Sequence, residues 1–260
     1  MNLNSIENII LDLNGTIYEK GIAYDGADET LEKLRNKGFK MSFVTNTDAR
    51  SVKDVYENVL KMGFTQVREE EVFTPISAVL EFANQNKDNS YYFLVHDEAM
   101  VDLTHLNQNL ENPDYVVIGD FCDKVSYEEI NKVFRMIKNG SEILALSKTL
   151  WYIDNDGFSI NTGAFVSMFE KACDKTSVLL GKPSKNFLEL ALKKTKSNPK
   201  NTLVIGDDIN TDVIGAKNIG ALSVLLKTGV FSESDLEKSA IKPDFIIENI
   251  NEIFSLFENN

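Results

Sequence analysis

Short apolar runs alternate with amphipathic helical segments along most of the chain. Residues 6–11 and 40–44 predict buried strands, and the helical segment 26–37 between them ends at Gly38. A second helix, over about 48–62, is closed by Gly63. Strands that alternate with helices in this way predict a parallel sheet with helices on both faces.

The same alternation returns in the last third of the chain. Strand-length apolar runs occur at 177–181, 202–206, 222–226 and 244–247. They are separated by helical segments near 184–196, 210–219, 233–239 and 249–258. We therefore predict a doubly wound α/β core built from residues 1–74 and 176–260.

Residues 75–175 have an α/β pattern of their own. A helix is predicted from Pro75, and the 3–4 spacing of apolar residues at 130–137 predicts another. Predicted strands cover 91–95, 115–119 and 142–147, followed by a hairpin over 151–162 that turns at Asn155-Asp156-Gly157. About 100 residues with this content can bury a core, which predicts a second domain inserted into the first.

Composition and charge argue against several classes of protein for this chain. Hydrophobic residues make up 43% of the chain, which excludes disorder as the main state. The formal net charge of −13 disfavours binding to nucleic acid or to an anionic membrane, but a small site can still accept an anion. We see no membrane-spanning run or signal segment, and Cys122 and Cys173 fit no metal-binding spacing. We expect a cytoplasmic protein.

Two polar clusters follow the first two predicted strands. Asp12-Leu13-Asn14-Gly15-Thr16 comes directly after the strand 6–11, where open parallel sheets bind ligands, and Thr16 offers a hydroxyl and a backbone N–H to a phosphate. Thr45-Asn46-Thr47-Asp48 follows the strand 40–44 and opens a helix, a geometry that binds anions. Taken alone, the first cluster is also consistent with a polar turn and the second with a plain helix cap.

Two further clusters follow later strands. In Gly181-Lys182-Pro183-Ser184, the lysine can hold a phosphoryl oxygen or neutralise carboxylates, although a solvated lysine before a helix is the alternative. Residues 206–212 carry Asp207, Asp208 and Asp212, whose mutual repulsion a Mg²⁺ ion would relieve, although a capped, solvated loop is the alternative. Neither a P-loop nor an EF-hand pattern is present in the sequence.

The four clusters together indicate more than each does alone. Each follows a separate predicted parallel strand, so all four can meet at one edge of the sheet. They supply a nucleophilic carboxylate, a phosphate-binding hydroxyl, a cation and metal-binding carboxylates. These are the parts of phosphoryl transfer through an aspartyl-phosphate, in which an aspartate attacks phosphorus and water then hydrolyses the product.

The motifs resemble those of the haloacid dehalogenase (HAD) superfamily, specifically its NagD-like phosphatases with a type C2 cap. The resemblance covers nearly the whole chain and is closest to the haloacid dehalogenase-like hydrolase domain-containing branch. The segments that carry it are LDLNGTIYEKG at 11–21, FVTNTDAR at 43–50, LLGKPSKNF at 179–187 and VIGDDINTDVIGAKNIGA at 204–221. NPDYVVIGD at 112–120 and GFSINTGAFVSMFE at 157–170 are similar to the cap, so the resemblance implies that 75–175 is a C2-type α/β cap.

The resemblance also implies the roles of the acidic residues and of the lysine. Asp12 would be the nucleophile and a Mg²⁺ ligand, and Asn14 would give its backbone carbonyl to Mg²⁺. Asp207 would be a further Mg²⁺ ligand. Lys182 would neutralise Asp12 and the phosphate, and Asp212 would orient Lys182 or a metal-bound water.

The same resemblance implies how the phosphate is held. Thr45, together with the amide of Asn46, would bind the phosphoryl group of a small phosphorylated substrate. Asp208 falls at a variable position of the motif and has no expected role. The sequence leaves open whether the protein forms a homodimer.

Asn14 departs from the usual family pattern, which has a second aspartate at this position as general acid and base. An amide cannot exchange a proton at neutral pH, and losing such catalysis costs about 10²–10⁴-fold in rate. The resemblance implies that asparagine is characteristic of this branch. The favoured function is therefore a Mg²⁺-dependent phosphatase whose turnover can be slow. A nearly inactive phosphate-binding protein and a transferase with an acceptor other than water are the alternatives.

Overall fold

The computed structural model describes residues 3–121, 124–154 and 157–258, so Cys122 and the turn residues Asn155 and Asp156 lie outside the described residues. The strands are β1 Asn8–Leu11, β2 Tyr18–Glu19, β3 Ile22–Ala23, β4 Lys40–Val44, β5 Val72–Phe73, β6 Tyr91–Leu94, β7 Tyr115–Ile118, β8 Glu142–Ala145, β9 Trp151–Asp154, β10 Gly157–Ile160, β11 Val178–Leu179, β12 Thr202–Gly206, β13 Leu222–Leu226 and β14 Phe245–Ile247.

The helices alternate with these strands. They are α1 Ala27–Asn36, α2 Val52–Lys61, α3 Pro75–Gln85, α4 Asp97–Leu103, α5 Tyr127–Lys138, α6 Thr162–Cys173, α7 Lys185–Thr195, α8 Ile214–Ile219, α9 Glu233–Lys238 and α10 Ile253–Glu258. A π-helical turn, Ile209–Val213, leads into α8. Within the described part of the chain, no helix has the length and apolar character needed to cross a membrane.

The chain forms two compact units, of which the first comprises Met1–Thr45, Val55–Phe73 and Lys182–Asn260. Its sheet has six parallel strands in the order β14-β13-β12-β1-β4-β5. The chain leaves β1 toward β4 on one side and later returns to build β12, β13 and β14 on the other. The switch in strand order therefore lies at β1, which is where such sheets bind ligands.

Apolar side chains explain the central position of these strands. Every residue of β1, β12 and β13 is buried. Strands that are covered by helices on both faces need such continuous apolar runs. The amphipathic helix α1 buries Leu31 and Leu34, while Glu29, Glu32 and Lys33 are exposed. The prediction of a doubly wound parallel sheet is confirmed.

The second unit comprises Asn46–Asp54 and Thr74–Gly181. It contains a four-stranded parallel sheet in the order β11-β8-β7-β6 and the antiparallel hairpin β9–β10. Helices α5 and α6 pack on a core that includes Val116, Ile118 and Phe169. The predicted strands 91–95, 115–119 and 142–147 and the predicted hairpin are all present, so this segment has an α/β core of its own.

One strand lies in a different sheet from the predicted one. The run 177–181 was expected to join the core sheet, but only β11 forms there, and it pairs with β8 in the second unit. The amide of Leu180 extends this pairing by donating to the carbonyl of Ala145 (2.8 Å). The prediction that Lys182 follows a strand of the core sheet is therefore wrong. Strands β2, β3 and β5 and helices α4 and α6 were not predicted.

Candidate active site

Asp12 lies at the carboxyl end of the central strand of the first unit. Its amide donates to the carbonyl of Ile205 on β12 (2.9 Å), which continues the parallel ladder by one residue beyond β1. The residue as a whole is 7% exposed. Asp12 therefore occupies the switch point of the sheet as a buried carboxylate, as the sequence predicts.

The turn after Asp12 brings Thr16 back to the same carboxylate. The carbonyl of Leu13 accepts from the amides of Thr16 (3.2 Å) and Ile17 (3.0 Å), so the chain folds back within one turn. The hydroxyl of Thr16, a fully buried residue, donates to Oδ2 of Asp12 over 3.4 Å. Gly15 has φ +92°, and a Cβ there would lie 2.1 Å from Oδ2 of Asp207. Only glycine allows this approach.

Lys182 connects two of the carboxylates. Its Nζ lies 2.5 Å from Oδ1 of Asp12 and 2.7 Å from Oδ1 of Asp212, and the three side chains are 4%, 9% and 3% exposed. Burial alone would lower the pKa of Lys182, but the adjacent Asp12 and Asp212 outweigh it and raise the pKa above its usual range. Lys182 is therefore a permanent buried cation.

Asp207 completes an acidic cluster with Asp12 and Asp212. Each of these three residues has a carboxylate oxygen within 4.8 Å of those of the others. Burial, and then repulsion from Asp12 and Asp212, raises the pKa of Asp207. Burial is also the largest cause of the raised pKa of Asp212, although Lys182 opposes it. One lysine does not neutralise three carboxylates, so the cluster retains negative charge.

The donor set of this acidic cluster fits a divalent cation. Its oxygen atoms are hard ligands of the kind that Mg²⁺ prefers, and a bound cation would remove the repulsion that raises the pKa of Asp207. Asp12, Asp207 and Asp212 are the residues that can supply these oxygens.

Two neighbouring side chains have other contacts. Asp208 accepts from the amide of Asn210 (2.8 Å) and the hydroxyl of Thr211 (3.1 Å), so it caps the helical turn that leads into α8. Asn14 is exposed, and its Oδ1 accepts from the amide of Lys20 over 3.4 Å. The Asn14 side chain therefore contacts the β2–β3 hairpin.

The predicted phosphate-binding segment is divided between the two units. Thr45 is buried in the first unit, and its amide donates to the carbonyl of Phe73 on β5 (3.2 Å). Leu11 pairs with Phe43, so Thr45 follows β4 at the edge of the sheet where Asp12 follows β1. Asn46 begins the segment that belongs to the second unit.

Asp48 is a buried carboxylate of the second unit that the sequence analysis left without a role. Its Oδ2 accepts from the amide of Asp120 (3.1 Å) and from the hydroxyl of Thr162 (3.4 Å). Burial, followed by repulsion from Asp120, raises the pKa of Asp48 to about 7. Asp48 therefore changes charge near neutral pH.

Known protein families match both ends of the chain. A family described as haloacid dehalogenase-like hydrolase matches residues 9–108, and one described as HAD-hydrolase-like matches 179–253. Haloacid dehalogenase-like hydrolase domain-containing protein 2 of Rattus norvegicus is 36% identical over 233 residues, which cover 90% of this chain and 88% of that protein. The chain belongs to the HAD family.

Other proteins that this chain resembles carry phosphatase names. Phospholysine phosphohistidine inorganic pyrophosphate phosphatase of Xenopus laevis is 29% identical, over 95% of this chain and 93% of that protein. The solved structure of 4-nitrophenylphosphatase from Thermotoga maritima has a TM-score of 0.89 at 26% identity, over 97% and 98% of the two chains. NagD from Escherichia coli K-12 has a TM-score of 0.86 at 23% identity, over 95% and 98%, so this HAD protein has a NagD-like fold.

One further segment of the site was not predicted from the sequence. After β13, the loop 227–230 contacts the Asp12 turn and Asp207: Thr228 donates to the carbonyl of Gly15 and the amide of Val230 donates to Asp207. The signal was available in the sequence, since Lys227-Thr228-Gly229 follows an apolar strand as the other clusters do.

Proposed function

We propose that this protein is a Mg²⁺-dependent phosphatase that hydrolyses a small phosphate monoester through an aspartyl-phosphate at Asp12. The observation that carries the proposal is the buried arrangement of Asp12, Asp207 and Asp212 around Lys182 at the switch point of the sheet. The phosphatase names of the relatives support the same reaction class.

In the first step, a carboxylate oxygen of Asp12 attacks phosphorus, and the bond between phosphorus and the ester oxygen breaks. Lys182 offsets the negative charge of Asp12 and of the incoming phosphate, because its raised pKa holds it protonated. Asp212 holds Lys182 in place through the 2.7 Å contact. Thr16 orients the same carboxylate from its other oxygen.

In the second step, water attacks phosphorus of the aspartyl-phosphate, inorganic phosphate leaves, and the Asp12 carboxylate is restored. We infer that Asp12, Asp207 and the backbone carbonyl of Asn14 hold Mg²⁺, and that Thr45 and the amide of Asn46 bind the phosphoryl oxygens. Mg²⁺ would supply Lewis-acid polarisation of the phosphoryl oxygens and neutralise the charge that develops on them.

Asn14 limits both steps in this proposal. The leaving oxygen needs a proton in the first step, and the attacking water must lose one in the second, but an amide exchanges neither. We therefore propose slow turnover with a preference for acidic leaving groups such as aryl phosphates. The substrate would be a small phosphorylated molecule, and we retain the predictions of a C2-type cap over 75–175 and of a cytoplasmic location.

Asn14 also favours a second candidate function. If no other group supplies the proton, the same pocket would bind phosphate with little turnover and would serve in sensing or interaction. The exposed Asn14 side chain, with its oxygen occupied by the Lys20 amide, is the observation that favours this alternative.

Turnover of an aryl and an alkyl phosphate, measured with Mg²⁺ and with a chelator, separates the two functions. Asp207→Asn should abolish the Mg²⁺-dependent activity. Asp208→Asn is the matched control, because it changes the adjacent carboxylate, which lies outside the acidic cluster, and asparagine retains the helix cap. If the wild type shows no Mg²⁺-dependent turnover yet binds phosphate, the phosphatase proposal is wrong and the binding function remains.

A further inference from the structure

The loop 227–230, which follows β13, holds two parts of the site together. Its Thr228 hydroxyl donates to the carbonyl of Gly15 over 2.5 Å, and its Val230 amide donates to Oδ2 of Asp207 over 2.7 Å. One contact reaches the turn that carries Asp12 and the other reaches a carboxylate of the acidic cluster. Four consecutive residues therefore connect the two segments.

Gly229 lies between these two contacts and packs directly against the same groups. It has φ +54°, and a Cβ there would lie 2.0 Å from Oδ2 of Asp207 and 2.6 Å from Cα of Gly15. A Cβ on Gly15 would likewise lie 2.1 Å from Oδ2 of Asp207. The Asp207 carboxylate is thus enclosed between two glycine backbones, which leaves little freedom of rotation about its side chain.

The loop is itself fixed to the sheet. The amide of Lys227 donates to the carbonyl of Ile247 at the end of β14 (3.0 Å), and the amide of Phe231 closes a turn onto the carbonyl of Thr228 (3.0 Å). Lys227 also pairs with Glu248 (2.9 Å). Because the loop is anchored at both ends, it can hold the Asp207 carboxylate at a fixed position relative to the sheet.

We infer that Thr228 is a positioning residue that, with Gly229 and Val230, fixes the Asp207 carboxylate relative to Asp12 for cation binding. This inference rests on the proposed function only for the identity of the cation. Val230 engages Oδ2, and no hydrogen bond to Oδ1 of Asp207 occurs among the described residues, so the loop orients the group without occupying both of its oxygens. Outer contacts that orient metal ligands typically change metal affinity by about 10–100-fold when removed.

The test is isothermal titration of the whole protein with Mg²⁺ alone, without substrate. Thr228→Val keeps the shape of the side chain but removes the hydroxyl, and we expect its Mg²⁺ dissociation constant to rise about tenfold or more. Thr228→Ser restores the hydroxyl and should bind within about twofold of the wild type. If the valine variant does not fold, Thr228→Ala should show the same rise in the Mg²⁺ dissociation constant.

Thr195→Val is the matched control, because its hydroxyl also donates to a backbone carbonyl (3.2 Å, Leu192) but lies at the end of α7. If Thr228 has a purely structural role, Thr228→Val should lower the melting temperature in chelator, as Thr195→Val does, and should leave the Mg²⁺ affinity unchanged. That result would overturn the inference. No Mg²⁺ binding by the wild type would overturn it as well. Mg²⁺ binding without phosphate turnover would refute the proposed function and leave the positioning role supported by the variants.

Discussion

Replacing Lys182 with methionine removes the cation that lies between two buried carboxylates. Lys182→Met keeps a long, flexible side chain of similar length but no charge. Asp12, Asp207 and Asp212 would then face one another without a positive partner, apart from any bound metal. The protein should therefore lose stability when no metal is present.

The size of this loss follows from burial and distance. Both ion pairs are short, at 2.5 and 2.7 Å, and none of the three side chains is more than 9% exposed. Removing one partner of such a buried pair costs about 3–5 kcal/mol. At about 2–4 °C per kcal/mol for a chain near this size, the melting temperature should fall by roughly 6–20 °C.

The loss should depend on pH. The pKa values of Asp207 and Asp212 are already raised in the wild type, mainly by burial. A carboxyl group with a raised pKa in the folded state stabilises the fold less as the pH rises through that pKa. Without Lys182 these pKa values rise further, so the difference between variant and wild type should be larger at pH 8 than at pH 5.

The assay is thermal unfolding followed by circular dichroism, in chelator, at both pH values. Lys185→Met is the matched control, because Lys185 is 61% exposed and its pair with Glu189 spans 3.7 Å, so its loss should cost less than about 1 kcal/mol. Added Mg²⁺ should recover part of the Lys182→Met loss. A shift in chelator at pH 8 no larger than that of Lys185→Met would refute this account of the cluster.

Two further predictions concern Asn14 and Asp48. Asn14→Asp should raise steady-state turnover, by up to about 10²–10⁴-fold and most on an alkyl phosphate, because a carboxyl group can exchange the proton that the amide cannot; a folded, Mg²⁺-binding variant that is no faster on either substrate contradicts this. Asp48 has a pKa raised to about 7, so its contribution to stability is present at low pH and is lost as the pH rises through 7. Between pH 5 and pH 8, the free energy of unfolding of Asp48→Asn, measured in denaturant, should therefore fall by about 2–3 kcal/mol less than that of the wild type. Equal decreases in the two proteins would contradict the assignment.

The core sheet and the positions of most acidic residues of the site could be predicted, because the sequence signal for each of them is local. The apolar run at 9–11 predicts a buried strand, and a polar residue directly after a parallel strand lies at the carboxyl edge of the sheet. The register of β1 with β12 brings Asp12 and Asp207 to that edge. The alternating pattern predicts that both carboxylates lie at this edge, whereas their close approach depends on β1 and β12 being neighbours, which only the structure shows.

Other features depend on distant partners that short segments do not encode. β11 is two residues long, and nothing in its own composition distinguishes pairing with β8 from pairing in the core sheet. The polar segment at 227–229 is visible in the sequence, but the contact of Thr228 with Gly15 joins residues 213 positions apart and is encoded in neither segment alone. The burial that raises the pKa of Asp48 also depends on the fold around it, including the contact with Thr162.

The proposed mechanism requires that Asp12 becomes phosphorylated during turnover. Rapid mixing with an aryl phosphate and Mg²⁺, acid quench, borohydride reduction and peptide mass spectrometry should yield homoserine at position 12, because borohydride reduces an aspartyl-phosphate but not a free carboxylate. The Asp12→Asn variant should remain folded, give no such product and lose turnover. Turnover by the wild type without modification at position 12, or activity of Asp12→Asn within about tenfold of the wild type, would contradict the account.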